Sequence, residues 1–514
     1  MILIFFLLFG ISVEIQALNI STKLDTNKID KKVSNGQTYA LKQLQEDIDA
    51  ILSAPELGNA SVGVCVIHPE SGETFYKKHA NTSLIPASTM KMFTTAAALE
   101  LLGPDFKYTT RIYIDGEIQT SGELNGDIII RASGDPTMSL YFMKDPLIIL
   151  DNIALKLDSL GITSIKGNII LDHSYFDDEL FGPGWAIDDI PYPYSAPISA
   201  IALHDNKVEM QFRPGLKSGD YSRMTMIPDN SYLRIVNNVM TVPTGSPTLI
   251  DSDTDPRSGV IDMQGSISMI DPGMKTKTEE AMSAIGLSID DPKQFFLHVF
   301  KQRLEKMGIR IRGSLIKNEM LNGPIDYVGL KAIHEITSLP ISSIITIINT
   351  VSHNLAAEMI FKTIAKEQFG EGSFAKGAES MKKFITKIGI IPEQCAIVDG
   401  SGLSRLNLLS AYQQTLLLSA MYRSPNKEHF LASLARPGQI GTLKNRMLKS
   451  LAQQQVIAKT GSMNNVSCLS GYATTRDGEQ LAFSMMMNGF TVPDGIIRNL
   501  QDMICMRLAS FSRK

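Results

Sequence analysis

The sequence is poor in the residues that build disulfide frameworks and metal sites. Its 514 residues include eight histidines and four scattered cysteines, Cys65, Cys395, Cys468 and Cys505. Four cysteines at these spacings do not form a disulfide scaffold, and no CxxC, HExxH or His/Cys cluster has metal-site spacing. We therefore predict no metal and no cofactor, and we interpret Cys65 and Cys468, which lie in apolar runs, as small core residues.

The chain also lacks an excess of positive charge. With 49 Lys and Arg against 53 Asp and Glu, its net charge is -4, and no stretch is dense in Lys or Arg. Nucleic-acid binding proteins use a basic face to neutralise phosphates, so we predict no nucleic-acid partner. The 44% hydrophobic and 20% charged residues are typical of a soluble globular protein.

One long apolar run is present, at the start of the chain. Residues 1–17, MILIFFLLFGISVEIQA, have the length of a signal-peptide core and fall short of the roughly 20 residues that a membrane helix needs. We predict export to the periplasm with cleavage near Ala17; a buried N-terminal helix or a retained membrane anchor is the alternative. The closing amphipathic segment 494–511 carries two Asp and two Arg, which predicts packing on a sheet and at most peripheral membrane contact.

Periodicity divides the rest of the chain into an α/β unit with a long insertion. Residues 18–105 and 286–514 combine amphipathic helices with apolar strands, whereas residues 106–285 read as short strands separated by Gly, Asp and Asn turns. The stretch of about 206–280 is richer in Pro, Ser, Asp and Gly, which indicates that the inserted β-rich material forms two pieces. A chain of this length is expected to fold as more than one packed unit.

The segment IPASTMKMFTTAAALELLG, residues 85–103, places Ser88 and Lys91 three residues apart at a predicted helix start. This spacing puts both side chains on one helical face. A lysine in a desolvated site near other cations loses its proton near neutral pH and becomes a base for the serine. The same spacing occurs at four other places in the chain, where the surroundings are charged or turn-like. Ser88 is therefore a candidate nucleophile, with a helix cap as the alternative.

Two further elements lie downstream. TVSHNLAAEM places Ser352 and Asn354 between helices, and VIAKTGSM places Lys459, Thr460 and Gly461 at the end of an apolar strand. Each motif recurs elsewhere by chance and is weak alone. A Lys-Ser-Gly at residues 217–219, for example, follows no apolar strand.

The ordered set of Ser-x-x-Lys, Ser-x-Asn and Lys-Thr-Gly resembles the active site of penicillin-recognising serine enzymes. The large spacing between the first two elements resembles the D-alanyl-D-alanine carboxypeptidase/endopeptidase family, the low-molecular-mass class C penicillin-binding proteins. RASGDPTMS, YSAPISAIALHDN and VDGSGLSRLNLLSA match that family too. The resemblance implies a penicillin-binding fold, an antiparallel sheet with helices on both faces, split by the insertion.

The resemblance also implies roles for the motif residues. Ser88 would attack the D-Ala-D-Ala carbonyl, Lys91 would be its general base, and Ser352 would relay a proton to the leaving amine. Asn354 would bind the substrate amide and hold Lys91. In the Lys-Thr-Gly element, Lys459 would keep the site positive and Thr460, next to Gly461, would bind the terminal carboxylate. The backbone N–H groups of Ser88 and Ser462 would form the oxyanion hole.

The family has a pocket for the charged side chain of the peptidoglycan diamino acid. By alignment, Asp189 would bind its ammonium group, Tyr194 would line the wall, and Arg405 would pair its carboxylate in a planar fork. Met463 and Asn464 would complete the pocket. The alternative is that Asp189, which follows another Asp in a turn-rich loop, is a solvated turn residue. Trp185 and the Gly134-Asp135-Pro136 turn are interpreted as structural.

His353, at the middle of Ser-x-Asn, departs from the family pattern. Its side chain is expected to face away from Ser352 and Asn354, which leaves the chemistry intact. The sequence thus predicts an exported serine D-Ala-D-Ala carboxypeptidase, with endopeptidase action on cross-links as well, that uses peptidoglycan stem peptides and is acylated by β-lactams. The alternatives are a β-lactamase and a non-catalytic peptidoglycan-binding module, although the second would be expected to have lost Ser88, Lys91 or Lys459.

Overall fold

The computed structural model describes residues 38–254, 259–269 and 283–513. The predicted signal peptide, residues 1–17, lies outside them. These described residues fold as two compact units: the first comprises residues 38–84, Ser410–Arg423 and 435–513, and the second comprises the described part of Ile85–Leu409 with Ser424–Leu434.

The described helices are, in chain order, α1 (38–52), α2 (Lys91–Leu101), α3 (Ile148–Ser159), α4 (Pro292–Lys306), α5 (Ile341–Val351), α6 (Asn354–Phe369), α7 (Phe374–Lys387), α8 (Ala411–Arg423), α9 (Lys427–Ser433), α10 (Ala452–Gln455) and α11 (Asp494–Ser510). The strands are β1 (Ser61–Ile67), β2 (Thr74–Lys78), β3 (Thr109–Ile118), β4 (Glu123–Arg131), β5 (Ser164–Ile165), β6 (Ile169–Asp172), β7 (Lys207–Arg213), β8 (Arg223–Ile227), β9 (Arg234–Val242), β10 (Leu249–Thr254), β11 (Val260–Ser268), β12 (Ser283–Ser288), β13 (Arg310–Ile311), β14 (Leu315–Lys317), β15 (Ala332–Thr337), β16 (Val456–Met463), β17 (Val466–Thr474) and β18 (Gln480–Asn488).

The first unit is built on a five-stranded sheet in the order β16-β17-β18-β1-β2, in which every neighbouring pair is antiparallel. Alternate residues of a strand point to opposite faces. On one face, residues such as Val64 and Phe483 join the apolar sides of α1 and α11 in a single buried cluster. The other face of the sheet is covered by α8, where Ser484 Oγ donates a hydrogen bond to Gln414 Oε1 at 3.3 Å. Helices therefore cover both faces, and the predicted α/β class is confirmed.

Strands β17 and β18 lie in the middle of this sheet and are buried along almost their whole length. Their sequences, VSCLSGYAT and QLAFSMMMN, are accordingly near-continuous apolar and small residues rather than an alternation, since both faces are covered. Cys65 and Cys468 are buried free thiols in the same sheet, which confirms their interpretation as core residues.

The second unit contains a bundle in which α2 is the central helix. α2 packs against α5, α6, α7 and α9, and every side chain from Lys91 to Leu99 is buried. A helix surrounded on all sides has no polar face, which explains the apolar run FTTAAALEL after Lys91. The buried threonines in this run form hydrogen bonds within the bundle; for example, Asn349 Nδ2 of α5 donates to Thr95 Oγ1 at 3.1 Å.

The β-rich part of the second unit has one seven-stranded and two three-stranded sheets. The large sheet runs β13-β5-β4-β3-β15, with β6 beside β4 and β14 beside β6. The small sheets are β12-β7-β8 and β10-β11-β9. Strands β13 to β15 come after residue 285, so the large sheet draws strands from both sides of the predicted boundary at 285. The assignment of residues 106–285 as an inserted domain stays a prediction.

Within the ranges that the structure describes, no helix is both long enough and apolar enough to cross a membrane. The closing helix α11 packs against β17, as its sequence predicts. Its apolar residues, including Ile504 and Leu508, belong to the buried cluster of the first unit.

Candidate active site

Ser88 and Lys91 lie at the start of the central helix of the second unit. Residues Ala87–Met90 form a short 3-10 turn that leads directly into α2, whose first residue is Lys91. Lys91 Nζ lies 2.9 Å from Ser88 Oγ, as the i, i+3 spacing predicts. No side chain caps this turn or α2, so Ser88 does not act as a helix cap.

Lys91 is held by three oxygen acceptors. Its Nζ donates to Ser88 Oγ at 2.9 Å, to Asn354 Oδ1 at 2.6 Å and to the Ser401 carbonyl at 2.7 Å. The side chain is fully buried, and this burial lowers the pKa of Lys91 to about 7, although the nearby charges of Glu358 and Asp399 act to raise it. A lysine with this pKa is available as a base near neutral pH.

The Ser-x-Asn element lies at the break between α5 and α6. Helix α5 ends at Val351, and Ser352 takes the left-handed conformation with a φ of 65° before α6 begins at Asn354. The two polar ends of the Asn354 amide are both used, because its Nδ2 donates to the Tyr194 carbonyl at 2.7 Å while its Oδ1 accepts from Lys91. The structure therefore brings Ser88, Lys91 and Asn354 together.

His353 is directed away from this contact. Its Nδ1 accepts the Ala356 N–H at 3.1 Å and so caps α6, and its Nε2 lies 2.9 Å from Asp205 Oδ1. Since Nδ1 is an acceptor, Nε2 carries the proton and donates it to Asp205. Burial acts to raise the pKa of Asp205, but His353 and Lys207 together hold it well below its usual range. The expected orientation of His353 is confirmed.

Sequence reasoning missed the backbone loop that closes the site behind Lys91. Asp399-Gly400-Ser401-Gly402 is buried, and the Gly400 and Ser401 N–H groups donate to the two carboxylate oxygens of Glu358 at 2.8 and 2.7 Å. Asp399 accepts the Gly402 and Ser404 N–H groups at 2.8 and 2.6 Å. The available signal was the DGSG sequence, together with a glutamate placed four residues after Asn354 on the same helix face.

Two of the residues predicted for the side-chain pocket contact each other within this unit. Tyr194 Oη donates to Asp189 Oδ1 at 2.7 Å, and Tyr192, which the sequence did not single out, stacks on Tyr194 with ring centroids 5.4 Å apart. Asp189 is half-buried and hydrogen-bonded rather than fully solvated.

Arg405 is exposed on the loop that follows Asp399. Two hydrogen bonds join this loop to the loop that leads to Asp189: Ser404 Oγ donates to the Pro183 carbonyl at 2.6 Å, and Trp185 Nε1 donates to Asp399 at 3.0 Å. The structural interpretation of Trp185 is thereby confirmed. The loops that carry Arg405 and Asp189 are neighbours.

The Lys-Thr-Gly element belongs to the first unit, on the edge strand β16. Lys459 is buried and its Nζ donates to the Thr460 carbonyl at 2.9 Å. Ala458 donates its N–H to the Ala435 carbonyl at 3.0 Å, on the side away from β17. Since alternate residues of a strand direct their backbone groups to the same side, those of Thr460 and Ser462 also point away from β17. Met463 ends the strand, and the exposed Asn464 follows it.

Comparisons with known proteins agree in sequence and fold. The model of the D-Ala-D-Ala carboxypeptidase 3 (S13) family matches residues 44–510. A D-alanyl-D-alanine carboxypeptidase of Actinomadura sp. (strain R39) is 32% identical over 92% of this chain and 85% of its own. The D-alanyl-D-alanine carboxypeptidase DacB of Haemophilus influenzae is 25% identical over 87% of this chain and 88% of its own.

The fold is also that of a solved structure. The crystal structure of penicillin binding protein 4 (dacB) from Haemophilus influenzae matches with a TM-score of 0.74 at 22% identity, covering 89% of this chain and 99% of that one. A second crystal structure of that protein, complexed with a β-lactam, matches with a TM-score of 0.71.

Proposed function

Because the chain belongs to the D-Ala-D-Ala carboxypeptidase 3 (S13) family, we propose that it is a serine-type D-Ala-D-Ala carboxypeptidase that works through an acyl-enzyme on Ser88. The substrates are peptidoglycan stem peptides, and β-lactams acylate the same serine. One observation carries the proposal: a fully buried lysine whose pKa burial lowers to about 7 lies 2.9 Å from a serine hydroxyl at a helix start.

In the acylation step, neutral Lys91 takes the proton from Ser88 Oγ as this oxygen attacks the carbonyl of the D-Ala-D-Ala bond. The tetrahedral intermediate collapses when the peptide C–N bond breaks and the leaving amine receives a proton. Ser352 is the proposed relay for that proton from Lys91. Asn354, bonded to Lys91 at 2.6 Å, keeps the amine at the serine during both transfers. Water then attacks the acyl-enzyme, with Lys91 as base again, and releases the shortened peptide.

The residues of β16 are proposed to hold the terminal carboxylate. Lys459 is proposed to supply positive charge and Thr460 a hydroxyl donor next to Gly461. An oxyanion hole formed by the N–H groups of Ser462 and Ser88 is proposed from the family resemblance alone. The Lys-Thr-Gly motif supports this assignment, as does the direction of the Thr460 and Ser462 backbone groups, away from β17. Losing one such donor costs about 10² to 10³ in rate.

The side-chain pocket is proposed to bind the free end of the diamino acid. The Asp189 carboxylate pairs with its ammonium group, and Tyr194, bonded to Asp189 at 2.7 Å, fixes that carboxylate and lines the wall. Arg405 pairs with the carboxylate of the same residue. From the family resemblance alone, Met463, which ends β16, and Asn464, which follows it, are proposed as further pocket residues. Because a cross-linked stem peptide presents a comparable D-amino-acid bond, the same site is proposed to act as an endopeptidase.

We also propose that the protein is exported and acts in the periplasm. The apolar run of residues 1–17 supports export, and peptidoglycan lies outside the cytoplasmic membrane. Detection of the protein in a periplasmic rather than a cytoplasmic fraction checks this placement.

The activity is tested by the release of D-alanine from a synthetic stem pentapeptide that ends in D-Ala-D-Ala. The wild-type protein is expected to release D-alanine, and Ser88→Ala is expected to release none above background. A pentapeptide left intact by both would contradict the proposal and favour a binding module. An intact pentapeptide together with rapid hydrolysis of benzylpenicillin would favour a β-lactamase.

A further inference from the structure

Glu358 is a buried carboxyl that the proposed chemistry does not use. It lies on α6, four residues after Asn354, so both side chains leave the same helix face. Its two oxygens accept the Gly400 and Ser401 N–H groups at 2.8 and 2.7 Å, and its side chain is fully buried. A carboxylate so placed satisfies two buried amides at once.

The peptide groups that Glu358 holds are those that contact Lys91. The Ser401 carbonyl accepts from Lys91 Nζ at 2.7 Å, and the Gly400 carbonyl accepts from Thr94 Oγ1 of α2 at 2.6 Å. The loop 399–402 is thus bonded to α6 on one side and to α2 on the other. A shift of Glu358 would move the Ser401 carbonyl and with it the lysine amine.

The same loop touches the turn that carries Ser88. A side chain at Gly402 would place its Cβ 1.9 Å from the Ala87 carbonyl oxygen, so the loop backbone lies directly against the residue before the serine. The segment that Glu358 bonds therefore contacts both Lys91 and the residue before Ser88.

We propose that Glu358 is a positioning residue for acylation: its carboxyl group fixes the Gly400–Ser401 backbone that orients Lys91 towards Ser88. The proposal rests on the proposed function, since it assigns Lys91 the role of base. Glu358 lies outside the three sequence motifs that carry the proposed catalytic residues.

The charges within the second unit that face Glu358 are few. They are Lys91 on α2, Asp399 on the loop, and Lys362 further along α6, which is itself bonded to Asp177. Burial and Asp399 raise the pKa of Glu358 to about 8, slightly above that of Lys91, which is about 7, so near neutral pH the Glu358 carboxyl is largely protonated. Its replacement by an amide is therefore expected to change the position of Lys91 more than the pKa of Lys91.

The test measures the rate of benzylpenicillin acylation against pH for the wild type, Glu358→Gln and Glu358→Asp. The amide of Glu358→Gln has one acceptor and would turn a donor towards the second N–H. We expect its maximal rate to fall about 100-fold, the cost of a misplaced reacting group. The acid limb of its profile should stay near that of the wild type, because Lys91 remains the titrating base and the replaced carboxyl is largely protonated near pH 7. Glu358→Asp keeps the carboxyl group but not the reach, so its rate should fall as well.

Thr94→Val tests the loop from the α2 side. It removes the donor to the Gly400 carbonyl without altering any titratable group, and we expect a lower rate with an unmoved acid limb. Glu367→Gln is the matched control: Glu367 lies on the same helix but is exposed and bonds Tyr175 at 2.7 Å, and its variant should acylate like the wild type. Melting temperatures identify any variant that fails to fold. If Glu358→Gln fails to fold, the acylation rate of Glu358→Asp tests the proposal instead.

Wild-type rates in both Glu358 variants, or a fall in folded Glu358→Gln that comes entirely from weaker penicillin binding with an unchanged maximal rate, would overturn the proposal. These results differ from a failure of the proposed function, because in that case the wild type itself would not be acylated.

Discussion

Lys91 shows how burial alone can change the chemistry of a common side chain. An exposed lysine is protonated at neutral pH and is useless as a base. Here the side chain is fully enclosed, and this burial lowers its pKa to about 7. Three oxygen acceptors hold its amine, so the loss of one proton leaves it oriented towards Ser88.

The first prediction at this scale concerns pH. Since Lys91 acts as a base only when neutral, the rate of acylation by benzylpenicillin is expected to rise as the pH increases through about 7, the pKa of Lys91. Lys91→Met, which keeps the length of the chain without the amine, should lower the rate by about 10² to 10⁴. A profile that is flat from pH 5 to 9 in the wild type would contradict the assignment of Lys91 as the base. Rapid-quench kinetics provide the measurement.

The second prediction concerns His353. His353→Ala removes the N-cap acceptor of α6 and the bond to Asp205, so stability should fall by about 1 kcal/mol or more. Acylation should slow as well, because Asn354 is the first residue of the helix that is uncapped. Ser373→Ala is the control, since Ser373 caps α7 by accepting the Lys376 N–H at 3.2 Å.

Thermal unfolding and acylation rates are measured for both variants. We expect both variants to lose stability, but only His353→Ala to be acylated more slowly. If the two variants acylate equally fast, His353 does not hold the site.

Among the elements, α2 was the most predictable from sequence and the loop 399–402 the least. The Ser-x-x-Lys spacing at a helix start and the apolar run after it depend on neighbours along the chain. The predicted helix start and its buried position are confirmed. The contact of Ser401 with Lys91 joins residues far apart in the sequence and depends on how α2 and α6 pack. Glu358 looks like any helical glutamate until that packing is known.

Gly402 offers a prediction at the scale of the element. It has a φ of 80°, and a Cβ there would lie 1.9 Å from the Ala87 carbonyl. Gly402→Ala is therefore expected to displace the turn of Ser88, lower stability and slow acylation at least tenfold. Gly389→Ala is matched in backbone strain, with a φ of 85°, but has nothing within 4 Å of its Cβ. It should cost only about 1–2 kcal/mol, the strain of the left-handed conformation, without slowing acylation.

Equal effects of the two glycine variants on acylation would contradict a close approach of the loop to Ser88. Chemical denaturation of each variant measures its stability. The acylation rate on the alkaline plateau of the pH profile measures the effect of each substitution on the active site.

On the scale of the whole molecule, the chain uses distant segments for each unit. The first unit takes strands from both ends of the sequence, with β1 paired to β18, which local periodicity cannot reveal. The class of fold was predictable because the ordered motifs identify a family. The extent of the seven-stranded sheet was not, since β13 to β15 are short strands that pair with partners more than a hundred residues earlier.

Export gives a prediction at the scale of the whole molecule. Expression with its own N-terminus is expected to yield a periplasmic protein whose first residue is Leu18, because residues 1–17 have the features of a cleaved signal peptide. N-terminal sequencing of the purified protein provides the check. A chain that retains Met1 would favour the alternative of a buried helix or an anchor.

The most direct test of the central claim is mass spectrometry of the purified protein after mixing with benzylpenicillin, beside Ser88→Ala. We expect a mass increase of one penicillin per chain, located on the peptide that contains Ser88 and absent from the variant. An unmodified protein with intact antibiotic, or an adduct on another residue, would contradict the assignment of Ser88 as the nucleophile.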